Sequence, residues 1–275
     1  MVKKRVITAL WGIPLLVAAV WFDRPLPWFT VVAAIWGLLA CWEFYRMGNT
    51  RPSLIYYGLF WTLLFILSRD RWLLSTLEPH FDLELLIPLL LTSAVVLSLM
   101  WLLVERQRDG VFVSWAWTVA GILYVGWLVG YLVALRGLAE GRDWVLFALF
   151  VTFGSDTAAF FTGRAVGRHR LAPQISPGKT WEGAIAGVVG AIIVSLLFIL
   201  QTPVHLNIEY WQAIALGLAV SVFGQAGDLV ESLLKRNTGV KDSGRLVPGH
   251  GGFLDRIDSA IFAGVVVYYC VLWVI

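Results

Sequence analysis

Charged residues are scarce in this chain. Asp, Glu, Lys and Arg make up only 14% of its 275 residues, whereas 59% of the residues are hydrophobic and the mean hydropathy is +0.78. A soluble domain of this length needs far more polar surface to cover itself. The composition therefore argues against an ordinary water-soluble enzyme and predicts a protein embedded in a membrane. The net charge of +3 is small, and no nucleic-acid partner is expected.

Cysteine is nearly absent as well, and a signal-peptide cleavage site is missing. Cys41 and Cys270 lie inside apolar runs, so we expect two small packing residues and neither a metal cluster nor a disulfide framework. A basic stretch at residues 3–5 precedes the first apolar run, as in a secretory signal. No small-x-small cleavage pattern follows Val20, which favours an uncleaved first span.

Long apolar runs are what the chain has in abundance. A hydrocarbon core about 30 Å thick needs roughly 20 helical residues, and these runs are continuous rather than alternating, which favours helices over a barrel. The sequence predicts an all-α, polytopic integral membrane protein of about nine transmembrane helices. The predicted spans are 6–22, 27–45, 54–68, 83–104, 112–135, 144–162, 183–201, 209–234 and 257–275.

We interpret residues 1–275 as a single membrane domain. Within it, 1–140 is expected to hold scaffold and lipid-access spans, and 141–275 the catalytic spans and their loops. With the N-terminus inside, sixteen basic residues fall in cytosolic segments and five outside, together the 21 Lys and Arg of the chain. The positive-inside rule therefore predicts an N-in, C-out topology, with the polar segments 163–182 and 235–256 in the cytosol.

Five carboxylates lie in or beside the last predicted spans, namely Asp156, Asp228, Glu231, Asp255 and Asp258. An ionisable group in a span costs about 2.5–3.5 kcal/mol on insertion scales and therefore needs a reason. The pairs 228/231 and 255/258 are spaced i, i+3, so each pair shares a helix face. Neutralisation of single acids by Lys235 or Arg256 is one explanation. A Mg²⁺ site, which prefers clustered hard oxygens, is the other.

The cytosolic segment 163–182 contains Ser176, Gly178, Lys179 and Thr180. Its Gly-Lys-Thr resembles a P-loop, but the first glycine of that motif would fall at Pro173 and no strand precedes it. A compact phosphate cradle is the preferred interpretation, with Ser176 or Thr180 also capping the next helix. A basic loop that touches anionic lipid headgroups is the alternative.

The segment 232–258 alternates phosphate donors with carboxylates. Its Lys, Arg and His side chains can bind phosphates, its glycines allow close approach of the backbone to a ligand, and its aspartates can hold a metal. Nucleotide phosphate chemistry requires this combination. The residues concerned are Lys235, Arg236, Lys241, Asp242, Gly249, His250, Gly251, Gly252, Asp255, Arg256 and Asp258.

This segment resembles the signature of the phosphatidate cytidylyltransferase (CDP-diacylglycerol synthase) family. Residues 232–258 follow that pattern except at Val247, where a larger apolar residue is usual, and 176–183 and 154–156 also look like the family. The resemblance implies transfer of the cytidylyl group of CTP to phosphatidic acid, giving CDP-diacylglycerol and pyrophosphate. It further implies Mg²⁺ with K⁺ as a second ion and a homodimer. Together with the predicted topology, we expect a place in the bacterial inner membrane with the active site facing the cytosol.

On this basis we assign hypothetical roles. The catalytic residues are Asp228, Asp255, Asp258, Lys241 and His250. The metal ligands or their neighbours are Asp228, Asp255, Asp258, Asp156, Glu231 and Asp242. The substrate-binding residues are Ser176, Gly178, Lys179, Thr180, Lys235, Arg236, Gly251, Gly252 and Arg256.

Three other classes of protein remain as alternatives. An ion-coupled transporter also buries acids, but it commonly shows inverted repeats, whereas these acids gather beside basic glycine-rich loops. A CTP-using polyprenol kinase shares the nucleotide, while the Asp-Gly-x-x-Ala-Arg core of the CDP-alcohol phosphotransferases is absent from the sequence. An inactive membrane scaffold fits the intact set of acids poorly.

Overall fold

The computed structural model describes residues 12, 14–22, 26–78, 82–105, 108–200, 202–247 and 251–275. The chain divides into two compact units. The first unit comprises Met1–Gly137 and Asp242–Leu254, and the second comprises Leu138–Lys241 and Asp255–Ile275. The segment Asp242–Leu254 therefore belongs with the N-terminal helices, although it lies late in the sequence.

Helices form the first unit. They are α1 (Trp28–Met47), α2 (Pro52–Leu67), α3 (Arg71–Leu77), α4 (Leu83–Val104) and α5 (Val111–Arg136), and residues 14–21 are also helical. A π-helical stretch, Ile122–Trp127, interrupts α5. Proline at the first position of α2 suits a helix start because its missing N–H has no intrahelical partner there. The short α3, which was not predicted, is capped by Asp70, whose side chain accepts a hydrogen bond from the Leu73 amide at 3.0 Å.

Small residues let the helices of the first unit approach closely. Tyr45 is fully buried against Gly58 and Gly121, where an added Cβ would overlap its ring. The Tyr45 hydroxyl donates to the Thr118 carbonyl at 3.0 Å. Glycines at helix contacts are typical of membrane helices, because close backbone approach and dispersion replace the hydrophobic drive that lipid removes.

The second unit contains α6 (Gly141–Val166), β1 (Arg170–Ala172), β2 (Ser176–Thr180), α7 (Trp181–Leu197), α8 (Tyr210–Asn237) and most of α9 (Leu254–Trp273). Glycines again set the contacts. A Cβ at Gly190 of α7 would lie 2.6 Å from the Ala158 Cβ of α6, and one at Gly217 of α8 would lie 2.9 Å from the Ile192 Cα. These approaches bring α6, α7 and α8 together.

A two-stranded hairpin is the exception to the all-α prediction, in a chain that is otherwise mostly helical. β1 and β2 pair antiparallel, with Arg170 opposite Thr180 and Ala172 opposite Ser176. The segment was expected to be a loop, because its Pro-Gly pair and polar composition lack the alternation of a strand. The expected cap is confirmed at Thr180, whose hydroxyl accepts from the Gly183 amide at 3.2 Å at the start of α7.

Within the described residues, six helices are long and apolar enough to cross a membrane: α1, α4, α5, α6, α8 and α9. The helices α2 and α7 are apolar but shorter. Each predicted span from the second onward overlaps one of these helices. The first predicted span, 6–22, lies partly outside the described residues, and its residues 14–21 are helical. The chain therefore has the helices of a membrane protein.

Candidate active site

A cavity of about 780 Å³ lies within the second unit. Its volume falls in the range of small-molecule sites, about 300–1,000 Å³. Several elements contribute to its wall. The lining residues are Asp156, Ala159, Phe160, Gly163, Arg164, Gly167, Arg170, Leu171, Gly178, Lys179, Thr180, Gly183, Ala184, Gln225, Asp228, Lys235, Asp255, Arg256, Asp258 and Ser259.

Three carboxylates converge where α8 meets α9. Oxygens of Asp228, Glu231 and Asp258 lie within 4.8 Å of one another. Asp228 and Glu231 share a helix face, as their spacing predicts. The approach of the third acid depends on Gly227, where an added Cβ would lie 2.7 Å from the Asp258 carbonyl oxygen. Three carboxylates this close repel one another unless a cation lies among them.

Lys235 pairs with one carboxylate of that cluster and with a second one beside it. Its Nζ lies 2.6 Å from Asp255 Oδ1 and also forms an ion pair with Glu231. The Glu231 side chain is fully buried and that of Lys235 is 12% exposed. Both interactions are therefore shielded from water, and Lys235 holds the start of α9 against the last turns of α8.

Lys179, in strand β2 of the hairpin, places a positive charge in the cavity. Its Nζ lies 2.8 Å from Asp228 Oδ2 and 3.4 Å from the Gln225 carbonyl oxygen. Gln225 is itself held, since its side-chain amide donates to Ser221 Oγ at 2.9 Å and to the Ala184 carbonyl at 3.2 Å. A cation from the hairpin thus meets an acid of the carboxylate cluster.

Two arginines of the cavity, Arg164 and Arg170, were not given a role from the sequence. Arg164 lies in the last turns of α6, and Arg170 begins β1. The sequence contained a signal for Arg164. It lies among residues that recur at helical spacing and line the cavity, namely Asp156, Phe160, Gly163 and Gly167. Arg170 reaches the cavity through the unpredicted hairpin, so no local pattern indicated it.

The base of the hairpin is held by Glu182 in the first turn of α7. His169 Nδ1 lies 2.7 Å from Glu182 Oε1, and the His169 amide donates to the same oxygen at 3.2 Å. The amide of Glu182 itself and the His169 side chain lower the pKa of this carboxyl to about 2. Glu182 is thus an anion at neutral pH, which also suits a helix N-terminus.

The predicted site residues fall into four groups. Asp156, Gly178, Lys179, Thr180, Asp228, Lys235, Asp255, Arg256 and Asp258 line the cavity. Four other predicted residues in the described part of the second unit do not line the cavity: Ser176, Glu231, Arg236 and Lys241. The Glu231 side chain is buried. Arg236 Nε donates to the Ile175 carbonyl at 3.1 Å. Asp242, Gly251 and Gly252 belong to the first unit, and His250 lies outside the described residues.

Gly252 was predicted to let the backbone approach a bound ligand closely. The structure instead places the Glu43 carboxylate, also of the first unit, at this glycine. An added Cβ there would overlap Glu43 Oε2 and Ser243 Oγ. Glu43 was missed by the sequence analysis. The available signal was that it is the only acid within the second predicted span, 27–45.

Comparison with known proteins places these features in a family. The cytidylyltransferase family model matches residues 3–274. The phosphatidate cytidylyltransferase of Staphylococcus epidermidis is 41% identical over 174 residues, 63% of this chain and 64% of that protein. That of Staphylococcus saprophyticus is 44% identical over 151 residues, 55% of this chain and 56% of that protein. The chain thus aligns with less than two thirds of either staphylococcal relative.

A longer alignment exists with the phosphatidate cytidylyltransferase of Bacillus subtilis. The two chains are 33% identical over 246 residues, which cover 88% of this chain and 87% of that protein. The family match includes the hairpin and the helices that line the cavity. The chain belongs to the cytidylyltransferase family.

Proposed function

We propose that this protein transfers the cytidylyl group of CTP to phosphatidic acid, giving CDP-diacylglycerol and pyrophosphate for phospholipid biosynthesis. The observation that carries the proposal is the cavity of the second unit, where clustered carboxylates meet Lys179, Lys235 and Arg256. The bacterial relatives, which are named phosphatidate cytidylyltransferases, support the same reaction.

The chemistry requires charge neutralisation more than a strong base. An oxygen of the phosphatidate phosphate forms a bond to the α-phosphorus of CTP, while the bond from that phosphorus to the oxygen bridging to the β-phosphate breaks and pyrophosphate leaves. The attacking phosphate is already an anion at pH 7. Because both reactants are anionic, fixed cations aimed at the phosphates lower the barrier. Lys179, Arg164, Arg170 and Arg256 supply those cations around the cavity.

Asp228, Glu231 and Asp258 fit a Mg²⁺ ion, because they present hard carboxylate oxygens close together. When bound, Mg²⁺ would polarise phosphoryl oxygens and offset their charge. We assign K⁺ as a second ion to the same acidic region, where Asp156 and Asp255 also line the cavity. Lys179 and Lys235 keep Asp228 and Asp255 paired, which orients these carboxylates before substrates arrive.

We further propose nine spans, with the N-terminus in the cytosol, the C-terminus outside and the site facing the cytosol of a bacterial inner membrane, in a homodimer. The distribution of basic residues supports this orientation, and the relatives are bacterial. A topology reporter fused after Ile275 should be active only outside the cytosol. A cytosolic signal from that fusion would overturn the orientation.

The reaction is tested by identifying the lipid product. Purified protein, CTP, Mg²⁺ and phosphatidic acid should yield CDP-diacylglycerol and pyrophosphate in equal amounts by mass spectrometry. A phosphorylated lipid formed from an offered polyprenol, together with CDP, would instead identify a kinase. Ion flux into vesicles without any CTP-dependent lipid product would identify a transporter. Either of the last two results contradicts the proposal.

Replacing Lys179 by alanine should mainly weaken CTP binding. A charge-assisted hydrogen bond to a phosphate is worth about 1.5–3 kcal/mol, so KM for CTP should rise roughly ten- to hundredfold. The measurement is initial rate against CTP concentration, with Lys179→Arg as the variant that keeps the charge. A KM for CTP that stays at the wild-type value in Lys179→Ala would remove this lysine from the nucleotide site.

A further inference from the structure

Glu43 is an acid buried in the apolar helix α1. Glu43 is only 1% exposed to solvent. Carrying a carboxylate into a membrane span is costly, and such groups persist where specific partners bind them. Two hydrogen-bond partners of Glu43, Ser243 and Leu254, belong to the segment Asp242–Leu254 of the same unit.

Two hydrogen bonds tie this carboxylate to the segment. The Ser243 hydroxyl and the Leu254 amide each donate to Glu43 Oε2, both at 3.1 Å. Two glycines make room for it. A Cβ added at Gly244 or at Gly252 would overlap the carboxylate oxygens of Glu43. Both ends of the segment thus close around one buried carboxyl group.

The Leu254 contact acts on a helix terminus. Leu254 is the first residue of α9, and the first amides of a helix have no intrahelical acceptor. A carboxylate at that position satisfies an amide and interacts favourably with the helix dipole. Asp255 follows Leu254 by one peptide bond, and Asp258 follows one turn later. The place where α9 begins therefore decides where these two acids are presented.

We propose that Glu43 is a positioning residue for the transfer reaction: its carboxylate fixes the segment Asp242–Leu254 and the first turn of α9, and thereby the direction of Asp255 and Asp258. The inference rests on the proposed function. Packing alone does not require this arrangement, because an apolar side chain would fill the same volume without burying a carboxyl group that needs hydrogen-bond partners.

The first test replaces Glu43 by glutamine, which keeps the shape and removes the charge. We expect kcat for CDP-diacylglycerol formation to fall roughly ten- to hundredfold, the range found when partners that orient metal ligands are lost. KM for CTP should change little, because Glu43 does not bind the nucleotide. Hydrogen exchange in a peptide covering 242–254 should become faster. Glu84→Gln, an exposed acid of the same unit, is the matched control and should change neither quantity.

The second test uses the glycine contact. Gly244→Ala should also lower kcat, because the nearest atoms to the new Cβ all belong to the Glu43 side chain. Adding Glu43→Ala to Gly244→Ala removes the overlap, so the double variant should be no less active than Glu43→Ala alone. If Glu43→Ala does not fold, the kcat values of Glu43→Gln and Gly244→Ala decide the test. Gel filtration in detergent checks that each variant is folded.

The outcomes separate this inference from the proposed function. Wild-type kcat in Glu43→Gln together with unchanged exchange in 242–254 overturns the positioning role. If the unsubstituted protein forms no CDP-diacylglycerol, the proposed function fails and the transfer role of Glu43 fails with it. The exchange experiment then still decides whether Glu43 fixes the start of α9.

Discussion

Replacing Asp228 by asparagine should reduce the rate of CDP-diacylglycerol formation by roughly a hundred- to a thousandfold, because the Mg²⁺ that would stabilise the reacting phosphates is bound less well. The loss is similar in size to that seen when one group that stabilises a developing oxyanion is removed. Asp228 has two roles in the cavity. It is one of three carboxylates whose oxygens lie within 4.8 Å, and it accepts the Lys179 ion pair at 2.8 Å. The substitution lowers the negative charge that would hold Mg²⁺ and releases the lysine.

The rate should be measured over a series of Mg²⁺ concentrations. Half-saturation should shift to higher Mg²⁺ in Asp228→Asn, because fewer charged oxygens remain to bind it. Asp109→Asn makes the same chemical change at an exposed residue and should leave both rate and Mg²⁺ dependence as they are. Near wild-type turnover in Asp228→Asn, at unchanged half-saturation, would contradict the metal assignment.

Replacing Lys235 by methionine should strongly destabilise the second unit. Lys235 is paired with Glu231 and Asp255, and the side chains of both acids are at most 7% exposed. Removing one partner of a buried ion pair typically costs about 3–5 kcal/mol, because the remaining charge is left uncompensated. We therefore expect a lower unfolding midpoint in detergent, together with loss of transfer activity.

A second substitution tests the cause of that loss. Adding Glu231→Gln to Lys235→Met removes one of the uncompensated charges, so part of the stability should return while activity stays low. Lys241→Met, at an exposed lysine that follows α8, serves as the control for stability. An unfolding midpoint that is the same in Lys235→Met and in the wild type would show that the buried pairs contribute nothing to the fold.

Features that depend on neighbouring residues could be predicted well. The apolar runs locate the helices, and the Thr180 cap follows from the residue type at the end of a polar segment. The i, i+3 spacing placed Asp228 and Glu231 on one face, and Asp258 joins them in the structure. Helix formation depends on residues that are close in sequence, so these features can be predicted from short stretches of the chain.

Features that depend on distant residues were missed or remain untested. The hairpin brings Arg170 to the cavity, although its sequence resembles a loop. Glu43 meets Ser243 and Leu254 across most of the length of the chain, and a single acid in an apolar run gives no sign of its partner. The assignment of Asp255 to the metal core stays a prediction, since the structure pairs this residue with Lys235.

The sequence by itself determined that this protein is a helical membrane protein with a signature of alternating bases and acids, because composition and helical spacing are local properties. Only the tertiary structure decided which acids converge, since the approach of α9 to α8 at Gly227 is a contact between separate helices. It also decided that Gly244 and Gly252 accommodate an internal carboxylate. Glycine spacing tells where the backbone can approach something closely, and only packing tells what it approaches.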